Sequence, residues 1–298
     1  MNYSTLGKTG LQVSRIGFGC MSLEENELNN SRLLHAAIEK GINFFDTADL
    51  YGHGQNEITV GKALREKRNE LVIATKVGNQ WKQDGSGWIW NPRKCYILAA
   101  VNDSLERLQT NYIDLYQLHG GTIDDNFDEV IEAFSILQQQ GKIRYYGISS
   151  IRPNVIRSYA CRSAITSVMM QYSLLDRRPE ESCLDLLADK NIAVLTRGSL
   201  ASGLLVDKPA KPYLNYREEI VKQAAGAIKL VSNNQRGATQ TALQFVLQQP
   251  AITSAIVGIR TMEQLNEAVR TIETPMLTTN EYQQLQNALP KNYYQEHR

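Results

Sequence analysis

The sequence predicts an α/β fold, a (β/α)8 TIM barrel with an N-terminal β-hairpin and extra loops and helices, formed by residues 1–298 as a single domain. Three observations predict it. Short β-branched or apolar runs alternate with longer stretches of helical spacing from one end of the chain to the other. Eight such runs occur, the number that closes a barrel. Ionisable side chains also stand at the ends of three successive runs, where a barrel would gather them at one mouth.

The elements follow in order. "LGKTGLQVSR", residues 6–15, carries a Lys-Thr-Gly turn and reads as a short hairpin ahead of the repeat. The eight strands are "RIGFG" from 15, "NFFD" from 43, "LVIATK" from 71, "IDLYQLH" from 113, "IRYYGIS" from 143, "TSVMMQ" from 166, "IAVLT" from 192 and "ITSAIVG" from 252. Between strands, Leu98, Val101, Leu105 and Leu108 fall on one helical face, as do Phe127, Val130, Ile131, Phe134 and Leu137 in the next repeat. An amphipathic helix after each buried parallel strand is the pattern of α/β architecture. "NQWKQDGSGWIWNP", residues 79–92, is rich in Gly and Trp without a period and reads as a long loop after the third strand. The stretch from about 200 to 235 carries an extra helix-like segment. A chain of 298 residues buries one sizeable core, and α/β barrels reach this size as one domain.

Composition narrows the function. The 32 basic and 31 acidic side chains nearly cancel, so neither nucleic acid nor an anionic membrane is expected as the main partner. The opening lacks the basic start and apolar run of a secretory signal, and no stretch is apolar for the length of a membrane span, so the expected location is cytoplasmic. Cys20, Cys95, Cys161 and Cys183 form no CxxC pair and read as reduced, mostly buried thiols, without a metal site or a disulfide framework.

Asp46 ends the second strand, Lys76 the third and His119 the fourth, while Tyr51 lies in the loop just past Asp46. Each has an ordinary explanation alone: an Asp capping a helix, a solvated Lys, a satisfied core His. Their joint placement at one level of a barrel points to chemistry instead. The four types suit carbonyl reduction. Negative charge grows on the carbonyl oxygen as hydride arrives, and a proton donor must quench it. A phenol beside an ammonium is a ready donor, a buried Asp keeps that ammonium charged, and a His orients the carbonyl, as a neutral ring or an imidazolium.

These residues, with "LGKTGLQVSRIGFGCM", "GINFFDTADLYGHGQNEITVGKAL", "ATKVG", "LYQLHG", "YYGISS", "YSLLDRR", "GSLASGLL" and "IVGIRTMEQLNEA", resemble the aldo-keto reductases, and among them the bacterial cytosolic branch. The resemblance runs along essentially the whole chain and implies a catalytic tetrad of Asp46, Tyr51, Lys76 and His119. It implies a small-molecule carbonyl substrate and NADPH lying across the barrel mouth. "GFGCMS" reads as a tight strand-end turn and not a dinucleotide fingerprint, with Gly19, Cys20 and Met21 on the cofactor side.

Family members hold the carboxamide with a Ser-Asn pair and a Gln; here the pair is Ser149 and Ser150, the Gln position holds Met169, and Gln171 stands two residues on, on the same strand face. Arg197 occupies the place of an aromatic ring that stacks on the nicotinamide, and is either its substitute or a solvated strand-end Arg. Gly198, Ser199, Leu200 and Ser202 match a loop that wraps the pyrophosphate. Gly258 and Arg260 precede a helix N-terminus suited to the 2'-phosphate, and Gln264 and Glu267 lie on the adenine side, with Ala268 where an Asn is expected. Trp81, Trp88 and Trp90, together with Tyr51 and His119, suggest an apolar substrate pocket suited to aromatic or medium-length carbonyl compounds; the alternative is that some of the tryptophans only pack the loop down. Two other readings stand beside this one: a nucleotide-binding redox sensor or regulatory barrel with little turnover, and an isomerase or lyase using Lys76 as a Schiff-base amine.

Overall fold

The computed structural model describes residues 1–298. A hairpin of β1 (Tyr3–Thr5) and β2 (Gln12–Ser14) comes first, paired antiparallel with Thr5 opposite Gln12. Its Leu6 and Val13 are fully buried against Phe44, Val72 and Leu195, so the hairpin plugs the N-terminal end of the barrel. The barrel strands are β3 (Ile16–Gly19), β4 (Phe44–Asp46) and β5 (Val72–Val77); then, after the short β6 (Asn79–Trp81) and β7 (Trp88–Trp90), come β8 (Ile113–Leu118), β9 (Ile143–Ser149), β10 (Ser167–Gln171), β11 (Ala193–Arg197) and β12 (Ile252–Gly258). All eight coincide with the runs read from the sequence. They pair in parallel, and β12 returns to β3 to close the barrel, with Gly258 beside Gly19.

Alternation along each strand serves two cores. On β5, Val72 and Ala74 face the barrel interior, while Ile73 and Val77 join the larger layer between strands and helices. That layer is closed by α1 (Glu27–Glu39), α2 (Gln55–Leu64), α3 (Lys94–Arg107), α4 (Phe127–Gln139), α5 (Pro153–Arg162), α6 (Cys183–Asp189), α7 (Glu218–Val231), α8 (Ala238–Leu247), α9 (Met262–Arg270) and α10 (Thr279–Asn287). Local chemistry sets several starts: Asn26, Asn126, Thr261 and Thr278 each accept a hydrogen bond from the third amide of the helix they cap. The extra helix expected between 200 and 235 is α7. No helix is long and apolar enough to cross a membrane.

Residues 79–92 depart from expectation. They form an antiparallel hairpin, β6 with β7, in which Asn79 faces Trp90 and Trp81 faces Trp88. The connecting Asp84-Gly85-Ser86-Gly87 supplies the turn: the Ser86 amide donates to Asp84 Oδ1 at 2.9 Å, and Gly85 and Gly87 take positive φ. The chain after α10 crosses back over the barrel mouth, although nothing periodic marks it in the sequence. Its anchors are buried Asn292, which accepts from the Arg177 amide at 2.9 Å, and the Pro290 carbonyl, which accepts from the Tyr216 hydroxyl. The His297 carbonyl accepts from the Asn154 amide at 2.8 Å, and Arg298 pairs with Glu181.

Candidate active site

The ends of β4, β5 and β8 bring Asp46, Lys76 and His119 together at the C-terminal mouth. Lys76, 1% exposed, uses its ammonium fully. Nζ donates to Asp46 Oδ2 at 2.7 Å, to the Thr47 carbonyl at 2.7 Å and to the Tyr51 hydroxyl at 3.4 Å. Burial alone would lower the Lys76 pKa, but the charge of Asp46, with Tyr51 and these hydrogen bonds, outweighs it and holds the value above its ordinary one. Burial pushes the Asp46 carboxyl up, opposed by Lys76 and by Gln117, whose amide donates to Oδ1 at 3.3 Å. An ammonium with three partners and a paired carboxylate is no free amine, which removes the Schiff-base reading.

His119 meets Tyr51 edge to face, with ring centroids 5.9 Å apart. Burial first, then the charges of Lys76 and Arg197, push its pKa down to about 3, so the ring is neutral at physiological pH and the imidazolium alternative falls away. Its buried Nδ1 has no partner within the protein.

Tyr51 reaches this group through an unusual turn. Gly52, His53 and Gly54 all take positive φ in succession, reversing the chain directly after the phenol. His53 pays for its left-handed backbone (φ 53°) with a stack on Trp81, ring centroids 3.5 Å apart. Trp81 thus holds the turn that carries Tyr51 instead of lining a pocket. Trp88 is 50% exposed on β7, and Trp90 covers Gly78 while its Nε1 donates to Asp125 at 2.9 Å. None of the three lines the main cavity, which corrects the expected tryptophan-lined pocket.

That cavity, about 850 Å³, opens over the tetrad and extends along the ends of the later strands. Gly19, Met21, Ser149, Ser150, Gln171, Arg197, Gly198, Ser202 and Gly258 line it. Met169, at the position of the missing Gln, is buried and also lines it. Gln171 is held on both sides: its Nε2 donates to the Tyr213 hydroxyl at 2.9 Å, and its Oε1 accepts from Arg197 at 3.1 Å. Gly198 takes φ 69°, and a Cβ there would press on the Gln171 side chain at 3.3 Å.

Other expected residues lie apart from the cavity. Cys20 is buried with its thiol toward the Phe18 carbonyl, and burial pushes its pKa up, so it is an unreactive thiol; of the other cysteines Cys183 is buried, but Cys95 and Cys161 on the helices are exposed, against expectation. Ser199 is buried within hydrogen-bonding distance of Thr196, and Leu200 packs on the core. Arg260 is exposed at the start of α9, where the Gln264 side chain accepts from the Arg260 amide at 2.9 Å. Glu267 accepts from Gln240 at 2.7 Å, tying α9 to α8. Conversely, the cavity wall includes Tyr213, Leu214 and Asn215, together with Tyr293 to His297 of the returning chain, none of which the sequence marked.

A family model described as the aldo/keto reductase family matches residues 15–290. The chain is 47% identical over 307 residues to the uncharacterized oxidoreductase YqkF of Bacillus subtilis, with 100% of each covered. Among solved structures it is similar to the aldo-keto reductase AKR11C1 of Bacillus halodurans in its holo form, with 47% identity, a TM-score of 0.94, and 100% of this chain and 99% of that one covered. It is also similar to the glycerol dehydrogenase AKR11B4 of Gluconobacter oxydans, at 26% identity and a TM-score of 0.85, covering 96% and 94% of the two chains. With its closed barrel, its strand-end tetrad and these matches along its length, the chain belongs to the aldo/keto reductase family of NAD(P)H-dependent oxidoreductases, which act on small carbonyl compounds.

Proposed function

We propose that this protein reduces aldehydes and ketones to alcohols, with NADPH as its nucleotide and Tyr51 as the proton donor. One observation carries the reading: the buried Lys76 ammonium bridges Asp46 and the Tyr51 hydroxyl at the floor of a cavity of about 850 Å³. The residues fit a nicotinamide nucleotide. His119 leaves a buried Nδ1 unpartnered, and the hydroxyls of Ser149, Ser150 and Ser202 line the same cavity as the Gln171 amide. Arg260, beside the N-terminus of α9, suits the 2'-phosphate that distinguishes NADPH. The bound nucleotide would supply the hydride.

The protein's own residues do the rest. Tyr51 gives its proton to the carbonyl oxygen, and Lys76 stabilises the phenolate left behind. Asp46 and the Thr47 carbonyl hold the ammonium in place. Neutral His119 presents a hydrogen bond to the same oxygen and fixes the direction of approach. Asn215, Gln295, Glu296 and His297 give the outer wall polar partners, so hydroxylated carbonyl compounds suit it better than the aromatic ones the tryptophans suggested. We further propose that residues 1–298 act as one domain in the cytoplasm. NADPH oxidation against hydroxylated, aliphatic and aromatic aldehydes and ketones tests the proposal. Turnover with at least one class is expected; tight NADPH binding with no turnover on any class would favour the regulatory barrel.

A further inference from the structure

Beneath the Tyr51 turn lies a second set of buried ionisable groups that carbonyl reduction does not use. Asp49 stands between Asp46 and Tyr51, 8% exposed, with its amide donating to the Lys76 carbonyl and its Oδ1 without any protein partner. Glu57, fully buried on α2, is already committed: Oε1 accepts from Thr75 and Oε2 pairs with Arg107 Nε at 2.7 Å. The Arg107 side chain lies so close under the turn that a Cβ on Gly54 would sit 2.7 Å from its Cδ. The ionisable groups near enough for their charge to act on Asp49, or its charge on them, are Glu57 from α2, Arg107 and Tyr96 from α3, Lys76 from β5 and Tyr116 from β8. The Tyr116 hydroxyl is buried and, like Asp49 Oδ1, unpartnered.

The charges around Asp49 decide its state. Two buried carboxylates already use the two nearby cations, Asp46 with Lys76 and Glu57 with Arg107. A third carboxylate would be buried without a counter-ion and next to a like charge, which favours its neutral form. Burial, then the charge of Glu57, pushes the Asp49 carboxyl up to about 8 against the opposing pull of Arg107, the Leu50 amide and Lys76.

We propose that Asp49 is held as the neutral acid and, in that form, is the positioning residue that keeps the turn carrying Tyr51 packed on α2 and α3. Ionisation places a third negative charge in the cluster and loosens the turn, drawing the phenol away from Lys76. The inference rests on Tyr51 being the proton donor, and its test includes readouts independent of turnover. The folded state holds a proton that the unfolded chain releases between about pH 4 and pH 8, so the parent loses stability as pH rises through that window.

The experiment compares the parent, Asp49→Asn, which mimics the neutral acid, and Asp49→Ala. The melting temperature of Asp49→Asn should match the parent at about pH 4 and exceed it by a growing margin up to pH 8. Infrared difference spectra should show a protonated-carboxyl stretch in the parent at pH 6 that disappears above pH 9 and is missing in the Asn variant. Asp49→Ala should lose turnover at every pH, and Asp49→Asn should restore it with a shallower alkaline limb. Parallel melting profiles, no carboxyl band that the Asn variant removes, or an Asn variant inactive at pH 6 would overturn the proposal. The same spectra recorded on Tyr51→Phe separate it from the assignment of the donor, since the band persists there whether or not Tyr51 gives the proton.

Discussion

Replacing Lys76 with Met keeps most of the side chain's volume and deletes its charge. The loss falls on Asp46, which is left buried with only the Gln117 amide, at 3.3 Å, as a side-chain donor. Stranding one partner of a buried pair costs about 3–5 kcal/mol. Protonation of Asp46 offers an escape with its own cost. Taking a carboxylate of ordinary pKa near 3.9 to its neutral form at pH 7 requires about 4 kcal/mol, and about 1.5 kcal/mol at pH 5. The two routes agree at neutral pH and separate in acid. In the variant Asp46 has a raised folded pKa, so the folded state binds the extra proton and stability falls as pH rises above about 4.

Urea unfolding at pH 5 and pH 7 should therefore show a loss of about 4 kcal/mol at pH 7 and less than half of that at pH 5. Adding Asp46→Asn should recover most of the stability without restoring turnover. A Lys76→Met protein within about 1 kcal/mol of the parent at pH 7, the range of an exposed pair, would refute the buried-pair argument. So would a loss that does not change with pH.

Two further outcomes test the surrounding site. Arg260→Ala should weaken NADPH by roughly ten- to a hundredfold, the value of one charge-assisted phosphate contact of about 1.5–3 kcal/mol, and leave NADH nearly unchanged in a binding titration; equal loss for both nucleotides contradicts the assignment. His119, depressed to about 3, should show no imidazole titration by NMR between pH 5 and pH 8. Because the unfolded ring protonates near pH 6.5, this residue should make the protein less stable as pH falls from about 6.5 toward 3. A His119 midpoint near 6.5 would show the ring to be open to water.

The barrel was legible in the sequence because each strand carries its own signal, an apolar run bounded by turn residues. The tetrad was legible because barrel geometry converts order along the chain into proximity: Asp46, Lys76 and His119 are far apart in sequence yet sit at the ends of neighbouring strands. What escaped depends on contacts without local pattern. Asn292 is buried through hydrogen bonds to residues 115 and 117 positions earlier, and contacts of this long range bring Tyr293 to His297 over the mouth. Tyr213 joins the cavity by meeting Gln171 across 42 residues. The hairpin at 79–92 is hidden for a local reason: its Asp-Gly-Ser-Gly turn has the composition of a loop, and only the fold shows Trp81 packing on His53 and Trp90 on Gly78 and Asp125. Asp49 sits in the same motif as Asp46 and Tyr51, and only the packing of α2 and α3 shows how differently it is held.

The central claim is that Tyr51 supplies the proton, and the most direct measurement is one turnover of Tyr51→Phe with NADPH already bound and the best aldehyde of the panel. The variant should bind NADPH as the parent does and lose the chemical step by at least about the hundred- to thousandfold typical of removing one transition-state donor. A Phe variant that reduces the aldehyde at the parent's rate would contradict the account.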